Sequence, residues 1–480
     1  LAFNRGPSRA YSGFNSGLPP SHTMGSSSVQ PMSLRIVLVR HGLSSFNLEH
    51  RIQGRDDLSN LTGIGQSQAR ACGAALGDLV FEAAYSSPLR RAADTTRLLL
   101  AEQGQGLQAE FDEGLLEIDL APWSGLLRQE LRERFADQEL QWRQAPERLE
   151  LQRADGSTYR PLPELMRQAD QFRRQLLERH AASINNDQDP PHTVLVVAHN
   201  AILRCLLLTL LDLPISGFRR LRVDNCSISV LNVGRSNVGR SGVQVELVNG
   251  LAHLGDPLPI KGDGARLLLV RHGETDWNRE GRFQGQIDIP LNATGRCQAE
   301  AAGRFLAPVT INRAYTSCMA RPRQTAEAIL ASHPGVPLTS SAGLVEIGHG
   351  LWEGRLEQDI AAGWPELLAN WKRAPHTVQM PEGETLQEVS ERSLGTWQRI
   401  AASLDSSETA LVVAHDAVNK TILCDLLGLG PADIWAIKQG NGGVSVIDYP
   451  EGAAGRPVVA ALNLTQHLGG VLDRTAAGAL

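Results

Sequence analysis

The chain has 480 residues, 42% apolar and 20% charged, with a formal net charge of −6. These values exclude a disordered or fibrous chain and leave length for two domains with sizeable cores. No run of Lys and Arg is long enough to track a nucleic-acid backbone, so the expected partner is a small molecule and not nucleic acid.

Residues 1–33 are rich in Ser, Gly and Pro, carry Arg5 and Arg9, and contain no acidic residue. They are expected to lack fixed structure. They read as sequence upstream of a start at Met24 or Met32, because no amphipathic helix is evident. The alternative is a transit peptide, which would move the expected location from the cytoplasm to the plastid stroma.

From residue 34 the chain is one unit written twice. "LVRHGLSSFNLEHRIQGRDD" is answered by "LVRHGETDWNREGRFQGQID" at constant spacing. "YSSPLRRAADTT" is then answered by "YTSCMARPRQTA", "LLEIDLAPWSG" by "LVEIGHGLWEG", and "LVVAHNAI" by "LVVAHDAV". Two domains, 34–255 and 266–480, are expected around a Pro/Gly-containing linker at 256–265.

Within each copy "LRIVLV" or "RLLLV" is a short continuous apolar run, the pattern of a strand buried on both faces of a parallel sheet. A Gln/Ala-rich helix follows ("GQSQARACGAAL", "GRCQAEAAGRFL"), then a strand into Tyr85-Ser86-Ser87 or Tyr315-Thr316-Ser317. "HTVLVVAH" and "TALVVAH" are again buried strands, each leading into an apolar helix. The most apolar stretch, "AILRCLLLTLLDLPI", is interrupted by Arg204 and too short to cross a bilayer, so no membrane partner is expected. The alternation gives an α/β fold with a mainly parallel central sheet and its chemistry at the strand C-termini.

Each copy has one His directly after one strand and a second directly after another: His41 and His199, then His272 and His415. Arg40 and Arg271 precede the first of each pair, and Arg91 and Arg321 follow the Ser-Ser or Thr-Ser turn. Two guanidiniums beside two imidazoles suit a dianionic phosphate, because Arg makes bidentate charge-assisted hydrogen bonds and stays protonated. A neutral imidazole can then attack phosphorus, with Glu117 and Glu346 as the proton donors. No metal and no cofactor is called for.

Taken together and in order, these motifs resemble the histidine phosphatase superfamily, also called phosphoglycerate mutase-like, over nearly the whole chain beyond residue 33. The resemblance implies two tandem three-layer α/β/α domains and phosphorylation of His41 and His272. It implies that Arg40, Asn47, Arg91 and His199 surround one phosphate, and Arg271, Asn278, Arg321 and His415 the other. The first copy reads "RHGLSSFN", with Leu43, Ser44 and Phe46 where Glu274, Thr275 and Trp277 stand in the second. No carried-over position is lost, but pocket shape is expected to differ.

A phosphatase of small phosphate monoesters is the leading reading. Two such domains in one chain resemble tandem phosphatases of plants and cyanobacteria, which implies a sugar phosphate or sugar acid phosphate, such as 2-carboxy-D-arabinitol 1-phosphate. The alternatives are a phosphoglycerate mutase, and a phospho-ligand binding module with one inactive domain. A homodimer is left open.

Outside the repeated constellation, Trp123 and Trp352 are read as packing residues, and His253, His349 and His467 as structural or surface groups. The six cysteines show no C-x-x-C pairing, which argues against a disulfide framework or zinc site. Cys318, near Arg321, is expected to be a buried thiol.

Overall fold

The computed structural model describes residues 32–185, 191–234 and 241–476. The expectations for residues 1–31 lie outside the described residues. Met32 and Ser33, placed above in the extension, instead open the first strand, where Met32 pairs with Gly234.

The first half contains strands β1 (Met32–Arg40), β2 (Ala83–Ser86), β3 (Glu110–Phe111), the hairpin β4 (Leu151–Gln152) and β5 (Thr158–Tyr159), β6 (His192–Ala198), β7 (Ile228–Gly234) and β8 (Val243–Gly250). The second contains β9 (Ala265–Arg271), β10 (Arg313–Ser317), β11 (Leu338–Ser341), β12 (Thr409–Ala414), β13 (Val444–Tyr449) and β14 (Val458–Leu464). Twelve strands form one sheet in the order β11-β10-β12-β9-β13-β14-β8-β7-β1-β6-β2-β3. In each half four strands run parallel, and the two toward the middle run antiparallel.

The apolar runs explain the layering. In β1, Leu34, Ile36 and Leu38 enter one core while Val37 and Val39 enter the other. In β9, Leu267 and Leu269 divide from Leu268 and Val270 in the same way. A strand covered on both faces has no polar side to show, so its sequence is apolar throughout. Both cores run through both halves, because the halves meet edge to edge.

The meeting edges are β8 and β14, antiparallel, with Leu462 opposite Val248. Joining them satisfies backbone groups that each half would otherwise leave unpaired at a sheet edge. The expected Gln/Ala-rich helices are Gly63–Ala75 and Ala293–Leu306, capped by Thr62 and Asn292. Gly65 and Gly295 let these helices approach the loops after β1 and β9: a Cβ on Gly42 would lie 2.4 Å from the Gly65 carbonyl oxygen, and one on Gly273 2.3 Å from that of Gly295. No helix among the described residues is long and apolar enough to cross a membrane.

Candidate active site

β1 and β6 are parallel neighbours, with Arg40 paired to Ala198, so the residues that follow them emerge side by side at one sheet edge. The His41 and His199 rings lie 5.1 Å apart, centroid to centroid. β9 and β12 repeat the arrangement, placing His272 and His415 at 5.2 Å.

The nucleophile candidates have a defined tautomer. His41 Nδ1 lies 2.8 Å from the Gly42 carbonyl oxygen, and His272 Nδ1 lies 2.7 Å from that of Gly273. A carbonyl only accepts, so the proton sits on Nδ1 and the Nε2 lone pair is left for attack. Burial, reinforced by Arg91 and Arg40, pushes the pKa of His41 well below the ordinary imidazole range; burial with Arg321 and Arg271 does the same to His272. Both rings are therefore neutral near pH 7. His199 Nε2 meets the Ser87 hydroxyl at 2.8 Å and His415 Nε2 the Ser317 hydroxyl at 2.9 Å, while both Nδ1 atoms are buried with no partner among the described residues.

The arginines are held by carbonyls. Arg91 donates to the Gly54 and Asp56 oxygens at 2.8 and 2.7 Å, and Arg321 to those of Gly285 and Ile287 at 2.8 and 3.3 Å. Arg321 Nε also donates to His272 Nε2 at 3.3 Å. Burial lowers the pKa of each of these two guanidiniums to about 10, leaving both charged at neutral pH. Arg40 donates to Val223 O at 2.9 Å, and Arg271 donates to Gln439 O and pairs with Asp416 at 3.4 Å.

Glu117 accepts from the amides of Ala201 and Ile202 at 3.1 and 3.2 Å, at the start of helix Asn200–Leu210. Glu346 accepts from the Ile347 amide at 2.9 Å, as Glu117 does from Ile118, but from the corresponding helix Asp416–Leu427 it receives Ala417 N at 3.4 Å. Burial, then the charge of Asp416, raises the pKa of Glu346. Asn47 and Asn278 are tied to the histidine loops through Asn225 and Asn441, which donate to their Oδ1 atoms at 3.2 and 3.4 Å and also to the His41 and His272 carbonyls. Their carboxamide oxygens accept from the Ser44 hydroxyl and the Thr275 amide at 3.0 and 3.1 Å, which turns their NH2 groups into the available donors.

The structure thus gathers Arg40, His41, Arg91, Glu117 and His199 in one half, and Arg271, His272, Arg321, Glu346 and His415 in the other. Several neighbours carried no recognised signal in the sequence. Thr95 and Thr325 accept from the Gly42 and Gly273 amides at 3.0 and 3.1 Å. Asn225 and Asn441 donate to the His41 and His272 carbonyls at 2.9 and 3.1 Å. All four recur at equivalent positions in the repeat, and that recurrence is the sequence signal that marks them.

Trp123 and Trp352 are fully buried, as packing residues should be. All six cysteines are free, and Cys318 is exposed, contrary to the buried thiol expected; it sits on the turn between β10 and helix Ala320–Leu330, facing out. Among the described residues no group of three or more His, Cys, Asp and Glu is placed to hold a metal ion.

The profile of the histidine phosphatase superfamily (branch 1) matches the chain twice, at residues 36–241 and 267–465. The chain is 29% identical to a 2-carboxy-D-arabinitol-1-phosphatase of Triticum aestivum, an alignment covering 91% of this chain and 86% of that one. It is 27% identical to a probable 2-carboxy-D-arabinitol-1-phosphatase of Arabidopsis thaliana, over 91% and 88%. Phosphoserine phosphatase 1 of Hydrogenobacter thermophilus is 32% identical over 42% of this chain and 94% of its own length. With the match spanning both halves, the chain belongs to the histidine phosphatase superfamily, branch 1, and is a phosphoric monoester hydrolase acting on small phosphorylated substrates.

Proposed function

We propose that both halves hydrolyse a phosphorylated sugar acid or related small acid, such as 2-carboxy-D-arabinitol 1-phosphate, through phosphohistidines on His41 and His272. The observation that carries this reading is the neutral imidazole with its proton fixed on Nδ1, set between two charged guanidiniums. Nε2 attacks phosphorus and the ester P–O bond breaks. The proton of Glu117 or Glu346 goes to the departing alkoxide. The same carboxylate then takes a proton from water, whose oxygen attacks the phosphohistidine and releases inorganic phosphate. Arg40 with Arg91, or Arg271 with Arg321, stabilises charge on the transferring group, with Asn47 or Asn278 as an added donor. The acid part of the substrate is assigned to segments 140–165 and 365–385, where the two halves agree least in sequence; they fold as short helices and, in the first half, the β4–β5 hairpin. The tandem relatives' named substrate supports the substrate class.

The test is phosphate release from sugar phosphates, sugar acid phosphates and phosphoamino acids by the wild-type chain, His41→Ala, His272→Ala and the double variant. Each single variant is expected to keep the other half's turnover, and the double variant none. Unchanged turnover in the double variant would refute the reading. Isomerisation of 3-phosphoglycerate outpacing its hydrolysis would make the chain a mutase, and binding without turnover would make it a phospho-ligand module.

A further inference from the structure

We propose that each catalytic loop is positioned by the other half of the chain, through Asn249 and Asn463, so that the β8–β14 seam is part of both sites. The inference rests on the chemistry proposed above and adds two positioning residues and a requirement for the tandem arrangement.

In the first half the segment Leu221–Cys226 lies beneath the site. Val223 O accepts from Arg40 at 2.9 Å and from the Asn200 carboxamide at 2.8 Å. Asn225 Nδ2 donates to His41 O and Gly42 O at 2.9 and 3.2 Å, and Cys226 N donates to Arg40 O at 3.0 Å. This segment therefore sets both the phosphate-facing guanidinium of Arg40 and the backbone that carries the nucleophile.

Its own support comes from across the seam. Arg222 N donates to Val459 O of the second half at 3.3 Å. Asp224 N donates to Asn249 Oδ1 at 2.7 Å, while Asn249 Nδ2 donates to Ala460 O at 2.6 Å. Asn249 is fully buried and adopts φ +58°, a left-handed conformation that Asn tolerates better than most residues. Its amide is thus a two-ended clamp: Oδ1 grips the turn under His41, while Nδ2 ties the Asp224 carboxylate of that turn, at 3.0 Å, to the opposite half's edge strand.

The second half repeats this. Gln439 O accepts from Arg271, Asn441 Nδ2 donates to His272 O at 3.1 Å, and Gly442 N donates to Arg271 O at 3.0 Å. Lys438 N donates to Val245 O of the first half at 2.9 Å. Gly440 N donates to Asn463 Oδ1 at 2.8 Å, and Asn463 Nδ2, on a residue at φ +52°, donates to Glu246 O at 2.8 Å. Such placement acts on rate, because small displacements of reacting groups carry large penalties.

The test uses the full-length chain, reading the first site in His272→Ala and the second in His41→Ala, with turnover expressed per histidine that can be phosphorylated. Asn249→Gly keeps the left-handed backbone and removes only the clamp. It is expected to lower first-site kcat about tenfold while second-site kcat stays within about twofold, and Asn463→Gly is expected to do the reverse. A merely structural role would reduce Tm and the number of competent sites and leave kcat per site unchanged, and that result overturns the proposal.

Leu462→Glu, in the second half's edge strand opposite Val248, is expected to slow the first site; a folded variant with an unaffected first site also overturns it. If that variant does not fold, Asn249→Asp takes its place. It keeps the acceptor for the Asp224 amide but sets a carboxylate oxygen against Ala460 O and the Asp224 carboxylate, and it is expected to slow the first site as Asn249→Gly does; unchanged turnover overturns the link. If neither single-histidine chain turns over, the proposed chemistry fails. The positioning is then read from inorganic phosphate titrated against the His41 and His272 ring resonances, where Asn249→Gly is expected to weaken binding about fivefold at the first site only, and equal binding overturns it.

Discussion

Glu117 and Glu346 occupy equivalent places in the repeat and stand in different company. Each accepts from the amide of the next residue at 2.9 Å, but Glu117 is also gripped by two helix amides beside the neutral Asn200, whereas Glu346 has one long helix contact and a charged neighbour, Asp416. Asp416 also pairs with Lys420 at 2.7 Å and Arg271 at 3.4 Å, a buried network in which the cations are compensated. One helical turn beyond Asn200, the first half instead carries Arg204, which has no acidic partner among the described residues and lies 5.2 Å from the Phe218 ring centroid. Arg219 sits likewise over Trp142, where Trp435 stands in the second half. Burial lowers the pKa of both arginines to about 10, so both remain cations. One scaffold has kept the same His, Arg and Glu positions in both halves while changing the carboxylate's surroundings and the charge of the neighbouring helix face.

The largest test of the shared part removes the acid. Glu117→Gln, measured in His272→Ala, and Glu346→Gln, measured in His41→Ala, should each lower kcat by about 10²–10⁴-fold with little change in KM. Arg321→Ala should damage kcat and KM together, because in the proposed reaction its guanidinium holds the phosphate in ground and transition states alike. A large loss at one acid and none at the other would mean that only one half uses its carboxylate.

The difference between the acids is addressed by Asp416→Asn, which gives the second half the neutral amide of the first. Removing that negative charge favours ionised Glu346, so its proton is lost at lower pH. The alkaline limb of the second site's kcat/KM profile should move down accordingly. An unmoved limb would detach Glu346 from that titration. The acidic limb at both sites should lie below the ordinary imidazole range, since burial keeps His41 and His272 neutral there.

A smaller effect separates the helix faces. Arg204→Met tests whether this cation reads the substrate's carboxylate: a raised KM of about tenfold for a phosphorylated carboxylic acid, with an uncharged sugar phosphate unaffected, is the effect of losing one charge-assisted hydrogen bond. Equal effects on the two substrates would assign Arg204 to packing against Phe218.

Much of this was legible in the sequence because the repeat supplied an internal control. Strands β1, β6, β9 and β12 announced themselves by unbroken apolar runs, and the Arg, His and Glu positions by recurring in order. The seam was not legible: an apolar strand such as "VQVELVNG" reads the same whether its edge meets solvent, a lid or another half. Nor was the left-handed conformation of Asn249 and Asn463, which depends on partners more than two hundred residues away in sequence. The Asp416–Lys420 pair has ordinary i, i+4 helical spacing and could have been read directly; its importance lies in Arg271 and Glu346, which only folding brings alongside.

The finest contrast lies beneath the second site, where His349 replaces the first half's Leu120. Its ring is fully buried between Phe283 and Trp371, with neither nitrogen partnered among the described residues, and burial lowers its pKa to about 3. The folded chain keeps this imidazole neutral where the unfolded chain protonates it near pH 6.5. Its contribution to stability is therefore present above that pH and lost progressively as pH falls toward 3. His349→Phe removes both the unpaired polar atoms and the titration. It should stabilise the chain by about 1 kcal/mol at pH 8 and by about 2 kcal/mol more near pH 5, read from urea midpoints at the two pH values. An equal shift at both pH values would show that the imidazole is already paired in the folded state, and that this departure from the first half is a polar contact rather than a tolerated cost.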